Sequence, residues 1–510
     1  MKKALSILLA LGMALSLFAA PALAGGADTS EHVVITYMVT GNVPTDKTEE
    51  TLAILNEKLT EKVNAELKLL WIEWTDYMSV YNLTLASQNG NIDLVGTATD
   101  WLDAWPNSIN GAFLPLGEEL LKTYAPKTWE QVPAENWELC KLNGEIYLIP
   151  EDNYAQWTNH GFMYRGDWAA EAGLADGVHS WEQMGQYLQY IKDNKEGVIP
   201  WDAKPDASLI AQLTGGWQSS HTSNIFIEGM PVALFFGNSK DDPYTVSKYY
   251  LEGDELINFA LNAKAWADAG YWKEDVLNNT SIDTRKEFEQ GLTGADQHHT
   301  QTHVGSARKR MEEYQPGSDL RFFWFGEETG NLVKLNITHG AMAVAATSKN
   351  PERALMVYDL IRNDQEIYDL VNYGIEGVQY VRGENNTFTR PEGYNSDTDG
   401  STMNWWWGRN DAFTLNSPDF AADDAEVLYA AYDDVAINYP YGKVVFDLDP
   451  ISVELDNLSN VFNTYMPQIV YGKNADPAGY VAEFRQQLKA AGYERAIAEV
   501  ESQLAAVYGE

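Results

Sequence analysis

The chain has 510 residues, and its 74 acidic against 35 basic residues give a formal net charge of −39 at pH 7. A field of this sign repels nucleic acid and anionic lipid, so we expect neither as a partner, and it favours neutral or cationic ligands over phosphorylated ones. Since 45% of the residues are hydrophobic, the chain is not a disordered acidic polymer and can bury a large core. This length predicts two or more domains or lobes.

The aromatic content gives the first indication of what the chain binds. There are 17 tryptophans and 28 tyrosines. Flat rings pack against the C–H faces of a pyranose, while polar neighbours pair with its hydroxyls. The alternative is that most of these rings are core residues, because large aromatics dominate core burial. The composition favours a carbohydrate ligand but does not say which rings contact it.

The first 24 residues have the three parts of a secretion signal. Lys2 and Lys3 form a basic start, residues 4–20 are an apolar run, and residues 22–24 (Ala-Leu-Ala) are a small-x-small cleavage site. No later segment contains about 18 consecutive apolar residues, so the sequence predicts no membrane span after the signal. The single cysteine, Cys140, lies far from the cleavage site, so we expect neither a lipid anchor at the mature N-terminus nor an internal disulfide. The expected location is extracytoplasmic, either periplasmic or extracellular.

The region after the signal alternates between strand and helix patterns. Strands are predicted over residues 33–39, 67–74 and 92–95, with helices at residues 52–63 and 77–86 between them. This alternation predicts a parallel sheet with helices on its faces, and hence an α/β fold. Ligands of such sheets bind beyond the carboxyl ends of the strands, which here are residues 40–42, 74–76 and 97–101.

Helix signals dominate the rest of the chain. Ser180 begins one predicted helix, residues 256–269 form another that ends at Gly270, and Asn350 with Pro351 is a strong helix start. The last 35 residues predict two helices separated at Gly492. No repeat or low-complexity linker interrupts the chain, which indicates two lobes joined by several chain crossings.

Several short segments, in order along the chain, resemble one family. They are residues 111–116 with 124–126, Asn143-Gly144-Glu145-Ile146-Tyr147-Leu148-Ile149-Pro150, residues 163–168 with 173–174, Ser180-Trp181-Glu182-Gln183, residues 345–352 and residues 373–377. Together they resemble the family 1 extracellular solute-binding proteins of bacteria, in the larger branch whose members are often lipoproteins. The sequence departs from that branch in lacking a cysteine after the cleavage site.

The resemblance implies a two-lobed, periplasmic-binding-protein-like (type II) α/β fold with a hinge and a helical C-terminal extension. It divides the chain into a signal peptide (1–24), lobe 1 (30–151), lobe 2 (152–336), a return segment of lobe 1 (337–380), and a final part of lobe 2 with the C-terminal extension (381–510). It also implies a monomer that closes on a mono- or oligosaccharide and delivers it to the permease of an ABC transporter, with no chemistry on the ligand and no required cofactor.

Candidate ligand-binding residues follow from the strand ends and the aromatic positions. In lobe 1 they are Asn42, Asp76, Thr97, Asp100 and Trp101; in lobe 2 they are Asn153, Trp157, Trp201, Trp217 and, in the run of three tryptophans at 405–407, Trp405. Each has an ordinary structural alternative: a helix N-cap for Asp76, a turn for Asp100, and lobe packing for the tryptophans of lobe 2.

Two segments raise the question of metal binding. Asn395, Asp397 and Asp399 match the first half of a calcium loop, but its twelfth position is Trp406 rather than Glu, so a polar loop is the alternative. Histidines 298, 299 and 303 form a cluster in sequence, with a transition-metal site and an ordinary loop or cleft as its two interpretations.

An exported glycoside hydrolase is the rival class. It needs two carboxylates across a scissile bond, and Glu327, Glu328 and Glu376 are candidates. A metal-capture binding protein is a third hypothesis. The sequence lacks the G-x-S-x-G, H-E-x-x-H and P-loop motifs, which favours a binding protein over an enzyme.

Overall fold

The computed structural model describes residues 28–41, 46–74, 77–87, 90–151, 159–279, 283–400, 403 and 406–509. The predicted signal peptide lies outside these ranges, as do the predicted site residues Asn42, Asp76, Asn153, Trp157 and Trp405. Within the described ranges, none of the helices combines the length and the apolarity that crossing a membrane requires.

The strands fall into one five-stranded sheet, one three-stranded sheet and three hairpin-like pairs. In chain order, β1 to β14 are Val33–Gly41, Ala65–Glu73, Leu94–Thr97, Lys141–Leu142, Glu145–Ile146, Ile149–Pro150, His160–Arg165, Ile225–Phe226, Phe236–Gly237, Ala295–His299, Leu320–Trp324, Ala341–Val344, Val381–Arg382 and Phe388–Thr389.

Helices make up most of the remainder. In chain order, α1 to α20 are Asp46–Val63, Tyr77–Ser87, Ala104–Ile109, Glu118–Tyr124, Pro126–Gln131, Ala134–Glu138, Gly166–Glu171, Trp181–Asn194, Ala207–His221, Glu255–Ala269, Thr284–Glu289, Thr300–Thr302, Arg308–Tyr314, Pro351–Asn363, Gln365–Tyr373, Ser396–Asp399, Ala422–Val435, Ser452–Val470, Pro477–Ala490 and Tyr493–Tyr508. Short 3-10 turns lie at Val276–Asn278, Trp406–Gly408 and Asp449–Ile451, and a π turn at His303–Ala307 joins α12 to α13.

The five-stranded sheet forms the centre of lobe 1, with the strand order β2-β1-β3-β12-β6. The predicted parallel pairing is confirmed, because β1 runs parallel to both β2 and β3, and Tyr37 is in register with Leu69 and Leu94. Strand β12 comes from much later in the chain and lies antiparallel between β3 and β6. Its arrival completes a sheet that the first 150 residues begin.

Lobe 2 is built on the antiparallel sheet β10-β7-β11. Side chains alternate across β7, so Phe162 and Tyr164 face one core while Met163 faces another. The larger of these cores also takes in the buried faces of α18, α19 and α20, which place the predicted C-terminal helical extension against lobe 2.

The buried apolar residues separate into one main cluster for each lobe. The predicted division into lobes assigns residues 381–510 to lobe 2, yet Met403 and Trp407 pack in the core of lobe 1. Trp407 occupies the space over Gly96, where an added Cβ would lie 2.8 Å from the indole ring. A segment late in the chain therefore contributes to the base of lobe 1.

The predicted helix boundaries are largely confirmed. Ser180 caps α8, accepting a hydrogen bond from the Gln183 N–H at 3.1 Å, and Gly270 ends α10 in the left-handed conformation. Pro351 begins α14 as predicted, but the Asn350 side chain makes no capping hydrogen bond. The third strand is displaced from the prediction and covers residues 94–97.

A buried arginine fixes the point at which the chain leaves lobe 1. Arg362, with no exposed surface, donates to the carbonyl oxygens of Pro150 and Glu151 at 3.0 and 3.1 Å. These two carbonyls lie at the end of β6. The guanidinium therefore holds the last residues of lobe 1 before the chain continues toward lobe 2.

Candidate functional site

The candidate site lies where the end of β3 meets lobe 2. Beyond β3, the Thr99 N–H donates to the Thr338 carbonyl at 3.1 Å, so the segment leading into β12 runs beside it. Gly229, on the loop after β8 of lobe 2, approaches the same place, since an added Cβ would lie 3.3 Å from the Thr99 carbonyl oxygen. The two lobes thus meet at the carboxyl edge of the sheet, where ligands of such sheets bind.

Three tryptophan rings pack against one another at this edge, and their exposure to solvent increases along the row. We call them the tryptophan stack. The ring centroids of Trp407 and Trp101 are 6.4 Å apart at 24°, and those of Trp101 and Trp74 are 5.7 Å apart at 32°. Trp407 is fully buried, Trp101 is half-buried, and Trp74 is 36% exposed. Tyr77 contacts the rings of Trp74 and Trp101 edge-on, with centroid distances of 5.6 and 5.9 Å. The stack therefore extends from Trp407 in the core of lobe 1 to the partly exposed ring of Trp74.

Backbone hydrogen bonds hold this stack in place. The Trp407 Nε1–H donates to the carbonyl of Thr97 at 2.8 Å, and the Trp101 Nε1–H donates to that of His339 at 3.1 Å. Because each bond fixes the polar edge of an indole, the faces of the Trp101 and Trp407 rings are oriented before any ligand arrives.

Ionisable groups lie beside the tryptophan stack. His339 Nδ1 and Asp100 Oδ2 are 2.7 Å apart. Burial alone lowers the pKa of His339, but the charge and hydrogen bond of Asp100 outweigh it and raise that pKa to about 9. The ring is therefore protonated at neutral pH and its Nδ1–H donates to the carboxylate.

Glu228 of lobe 2 faces this pair across the boundary between the lobes. Burial, and then the negative charge of Asp100, raise the pKa of Glu228 well above its ordinary value. Oδ1 of Asp100 and Oε2 of Glu228 are both buried without a hydrogen-bond partner among the described residues. Burial therefore favours the protonated form of the Glu228 carboxyl, a hydrogen-bond donor that lies opposite the Asp100–His339 pair at the boundary.

The wall of lobe 2 carries three histidines in mutual contact. His160 begins β7 and is in direct register with His299 at the end of β10, and His298 precedes it. Their ring centroids are 4.1 Å apart for His298 and His299, and 5.8 Å from His160 to each of the others. We call His160, His298 and His299 the histidine wall.

The rings of the histidine wall are neutral although they are only half-buried. Burial and the nearby positive charges of His339 and Arg285 lower the pKa of His160 to about 3. Burial and neighbouring cationic groups lower the pKa values of His298 and His299 well below the ordinary range. The three side chains are therefore desolvated and yet partly accessible.

The structure brings some of the predicted site residues together and separates others. Asp100 and Trp101 lie side by side at the site, whereas Thr97 is buried and its hydroxyl faces the Leu102 carbonyl at 3.4 Å. Trp201 and Trp217 are only 2% and 6% exposed and lie in the lobe 2 core, which favours the packing interpretation for both. They face other aromatic side chains rather than the boundary between the lobes.

Six residues of the site were not among the named candidates: Trp74, Tyr77, His160, Glu228, His339 and Trp407. Trp74 directly follows β2, so the rule that ligands bind at strand ends could have found it. The sequence around His160 and His339 does not indicate a binding site. Strand pairing brings His160 to the site, and the return of the chain to lobe 1 brings His339 there.

The structure separates His303 from the other two histidines of the predicted metal cluster. His303 is buried, stacks on Phe322 in a separate core, and is not part of the histidine wall. Among the described residues, no group of three or more His, Cys, Asp or Glu side chains has the arrangement to hold a metal ion. In the calcium-like loop, the Asp399 carboxylate accepts a hydrogen bond from the Asn395 N–H at 2.8 Å, as in a polar turn. The Asp397 side chain lies outside the described residues.

Known proteins with similar sequences include a domain family and two solute-binding proteins. Residues 440–508 match a family described as a domain of unknown function, DUF3502. The chain is 23% identical over 495 residues to a carbohydrate ABC transporter substrate-binding protein of Streptococcus pneumoniae, covering 94% of this chain and 91% of that protein. It is 24% identical over 352 residues to the polygalacturonan/rhamnogalacturonan-binding protein YtcQ of Bacillus subtilis, covering 66% of this chain and 64% of the relative.

Among solved structures, the chain resembles the N-glycan transport solute-binding protein of Streptococcus pneumoniae in complex with Man1GlcNAc. The TM-score is 0.71 at 20% identity, and the match covers 94% of this chain and 100% of the other. The predicted resemblance and fold class are thereby confirmed. Along nearly its whole length the chain is similar to a carbohydrate ABC transporter substrate-binding protein, and it has the two-lobed α/β fold of the solved solute-binding protein.

Proposed function

We propose that this chain captures an oligosaccharide between its lobes and delivers it to the permease of an ABC importer. The observation that carries the proposal is the stack of Trp74, Trp101 and Trp407, which presents an oriented indole at the carboxyl edge of the sheet. Sugar rings pack on such faces, and the paired ionisable groups beside it match sugar hydroxyls. The carbohydrate-related names of both relatives support this ligand class.

Closure of the lobes is the proposed mechanism. The stack, Asp100 and His339 belong to lobe 1, whereas the histidine wall and Glu228 belong to lobe 2. A ligand that touches both sets does so only when the lobes are together, so its binding energy stabilises the closed state. The permease then recognises the closed, loaded form. The proposed hinge comprises the chain crossings near residue 151, near residues 336–337, and between Asn416, which still pairs with Thr387, and Ala421, which hydrogen-bonds to Val304 of lobe 2.

The proposed role is binding without turnover. Asp100, which precedes Trp101 of the stack, is already committed to a protonated histidine. Of the candidate hydrolase acids, Glu327 bonds to His179 at 2.5 Å, and Glu376 is exposed in a turn of lobe 1. An intact ligand recovered after long incubation supports this role, whereas release of shorter sugars supports the hydrolase alternative.

Further parts of the proposal concern location, assembly and calcium. We propose export through the signal peptide, an extracytoplasmic location and a monomeric state. A structural calcium ion in the segment containing Asn395, Asp397 and Asp399 is also proposed, since that segment supplies oxygen ligands at loop positions one, three and five. Size-exclusion chromatography with light scattering tests the monomer, and fractionation of the producing cell tests the location.

A thermal-shift screen of the mature chain against neutral and acidic oligosaccharides tests the function. A ligand should raise the melting temperature in step with RT ln(1 + [L]/Kd). Trp74→Ala should abolish most of that shift, whereas Tyr314→Ala, which removes an exposed ring on α13, should leave it unchanged. No shift with any glycan, from protein that unfolds cooperatively, would count against the proposal.

A further inference from the structure

A pocket lies on the boundary between the lobes, next to the chain crossing near residues 336–337. Its lining combines Thr99 and Trp105 of lobe 1 with Glu228 and Tyr439 of lobe 2, and with Asn336 of the crossing itself. Thr99 stands two residues before the middle ring of the tryptophan stack, so the pocket adjoins the candidate site. A group that fills it therefore touches both lobes and the proposed hinge.

Three polar side chains of the pocket have unused hydrogen-bonding capacity. Oε2 of Glu228 is buried and has no hydrogen-bond partner among the described residues. The Tyr439 hydroxyl accepts from the Glu228 N–H at 2.9 Å, and no described residue accepts its own proton. Asn336 is only 6% exposed, and its side-chain amide forms no hydrogen bond with a described residue. Polar groups buried in this way indicate an occupant that completes their hydrogen bonds.

The rest of the lining is mainly apolar, and the space is small. Trp105, Pro106, Val444, Phe446 and Leu448 supply ring and aliphatic surface. The cavity volume is about 30 Å³, which is room for about two water molecules at roughly 10–15 Å³ each. The occupant is therefore a group of two or so non-hydrogen atoms that has C–H surface and a polar end.

The charges around the pocket favour a neutral occupant. No lysine, arginine or histidine is among the described residues that line it, so an anionic group would lose its hydration there without gaining a counter-charge. Protonated His339 acts on Glu228 but is already paired with Asp100. An ammonium group would require Glu228 to ionise, which its burial disfavours. A neutral group that both donates and accepts matches the carboxyl, phenol and amide of the lining.

From this arrangement we infer that the pocket binds the hydroxymethyl group of a sugar, so that the cargo carries a neutral hexose residue at this position. The methylene packs against Trp105 and its apolar neighbours, while the hydroxyl exchanges hydrogen bonds with Glu228 and Asn336. A hydroxyl borne directly on the sugar ring would bring the ring with it, and the cavity is too small for a ring. This inference rests on the proposed function, because it assigns one substituent of the proposed ligand to a pocket at the same boundary.

Sugar pairs that differ only in the hydroxymethyl group test the inference on the mature chain at pH 7. Cellotriose is compared with xylotriose by titration calorimetry. D-glucose, D-galactose and D-mannose are compared with D-xylose, L-arabinose and D-lyxose, which lack this group, by the shift in melting temperature. Within a pair that binds, we expect the hexose sugar to bind at least about tenfold more tightly, because the pentose leaves the polar groups of the pocket paired only with water.

Variants separate the role of the pocket from the stability of the fold. Glu228→Leu should weaken binding of the hexose sugar about tenfold and leave binding of the pentose sugar unchanged. Glu228→Gln, which keeps a donor and an acceptor, should retain the wild-type preference to within about threefold. Glu57→Leu, at an exposed glutamate on α1, is the matched control and should change neither affinity. Because the readout is the ratio of hexose to pentose affinity, a general loss of folded protein does not imitate it.

The outcomes distinguish this inference from the proposed function. Equal affinity for the two members of each pair that binds, or equal weakening of both by Glu228→Leu, overturns the hydroxymethyl inference, leaves ordered water as the occupant and keeps the proposed function. For a screened oligosaccharide outside these pairs, equal affinities of wild type and Glu228→Leu overturn the inference in the same way, as does a ligand without a hexose residue. If no oligosaccharide binds to protein that unfolds cooperatively, the proposed function fails and the inference fails with it.

Discussion

His339 donates a hydrogen bond from Nδ1 to Oδ2 of Asp100 over 2.7 Å, with only 21% and 16% of the two side chains exposed. The bond joins the loop after β3 to the segment before β12, two parts of lobe 1 that are 239 residues apart in sequence. It also orders the acid that directly precedes Trp101 of the tryptophan stack. The pair therefore links the stability of lobe 1 to the electrostatics of the site.

The first prediction is a loss of stability at alkaline pH. The pKa of His339 is raised from 6.5 to about 9, so its stabilisation is complete below about pH 6.5 and is lost as the pH rises through 9. We expect the free energy of unfolding to fall by about 2 kcal/mol from this cause, after allowance for partial solvent screening. Urea unfolding at a series of pH values measures it. The difference between wild type and His339→Gln should shrink as the pH rises, and a constant difference would contradict the assignment.

The second prediction concerns acid. The pKa of His160 is lowered from 6.5 to about 3, so its neutral form stabilises the fold above pH 6.5, and that contribution is lost as the pH falls toward 3. His298 and His299 act in the same direction. Acid unfolding should therefore begin at a lower pH in His160→Gln than in wild type, as followed by circular dichroism. Identical acid transitions in the two proteins would argue against a neutral, desolvated His160.

The third prediction separates the two ends of the tryptophan stack. Trp74→Ala should weaken oligosaccharide binding more than tenfold and change the free energy of unfolding by less than about 1 kcal/mol, since the ring is partly exposed. Trp407→Ala should cost about 3–5 kcal/mol, because it empties a buried site and removes a hydrogen bond. Urea unfolding and calorimetry measure both quantities. A large stability loss in Trp74→Ala would mean that this ring is structural.

The fourth prediction tests the contact beneath the stack. Gly96→Ala would place a Cβ 2.8 Å from the buried Trp407 ring, so we expect a cost of about 2 kcal/mol and weaker ligand binding as the stack shifts. Gly215→Ala is the control, because its nearest neighbour would be 3.9 Å away in the middle of α9. There, the higher helix propensity of alanine should stabilise the protein by about 0.5–1 kcal/mol. Equal effects of the two substitutions would exclude a specific role for Gly96.

The fifth prediction addresses the proposed calcium ion. If residues 395–399 bind it, EDTA should lower the melting temperature of the wild type by several degrees, and added calcium should restore it. Asp399→Asn should remove this response while leaving the metal-free melting temperature nearly unchanged. A wild type whose melting temperature ignores both EDTA and calcium would leave the polar turn between Asn395 and Asp399 as the full account of the loop.

Much of lobe 1 could be predicted because its signals are local. Strand β1 and helix α1 follow from apolar spacing over fewer than 20 residues, and Asp100 and Trp101 follow from the rule that ligands bind beyond strand ends. Trp201 could not be placed in the same way. A tryptophan at this position of the sequence could line a cleft or fill a core. Only the tertiary packing shows that Trp201 lies in the core of lobe 2.

The histidine wall shows why the other half of the site escaped prediction. The sequence groups His298, His299 and His303 together, because the three lie within six residues of the chain. Antiparallel pairing of β7 with β10 instead sets His160 opposite His299, while the chain after β10 turns His303 into another core. A contact between residues 139 positions apart leaves no periodic trace in either segment.

The late insertion of β12 into the lobe 1 sheet has a consequence for biogenesis. Strands β3 and β6 each hydrogen-bond to β12. Both therefore lack this neighbouring strand until residues 341–344 have been synthesised. Until then the unfinished sheet exposes unpaired edges, and closing it requires loops of roughly 190 residues or more. We therefore expect lobe 1 to reach its native state slowly and only after most of lobe 2 has been made. A delay of this kind suits the proposed export, because a chain that folds late stays unfolded for longer.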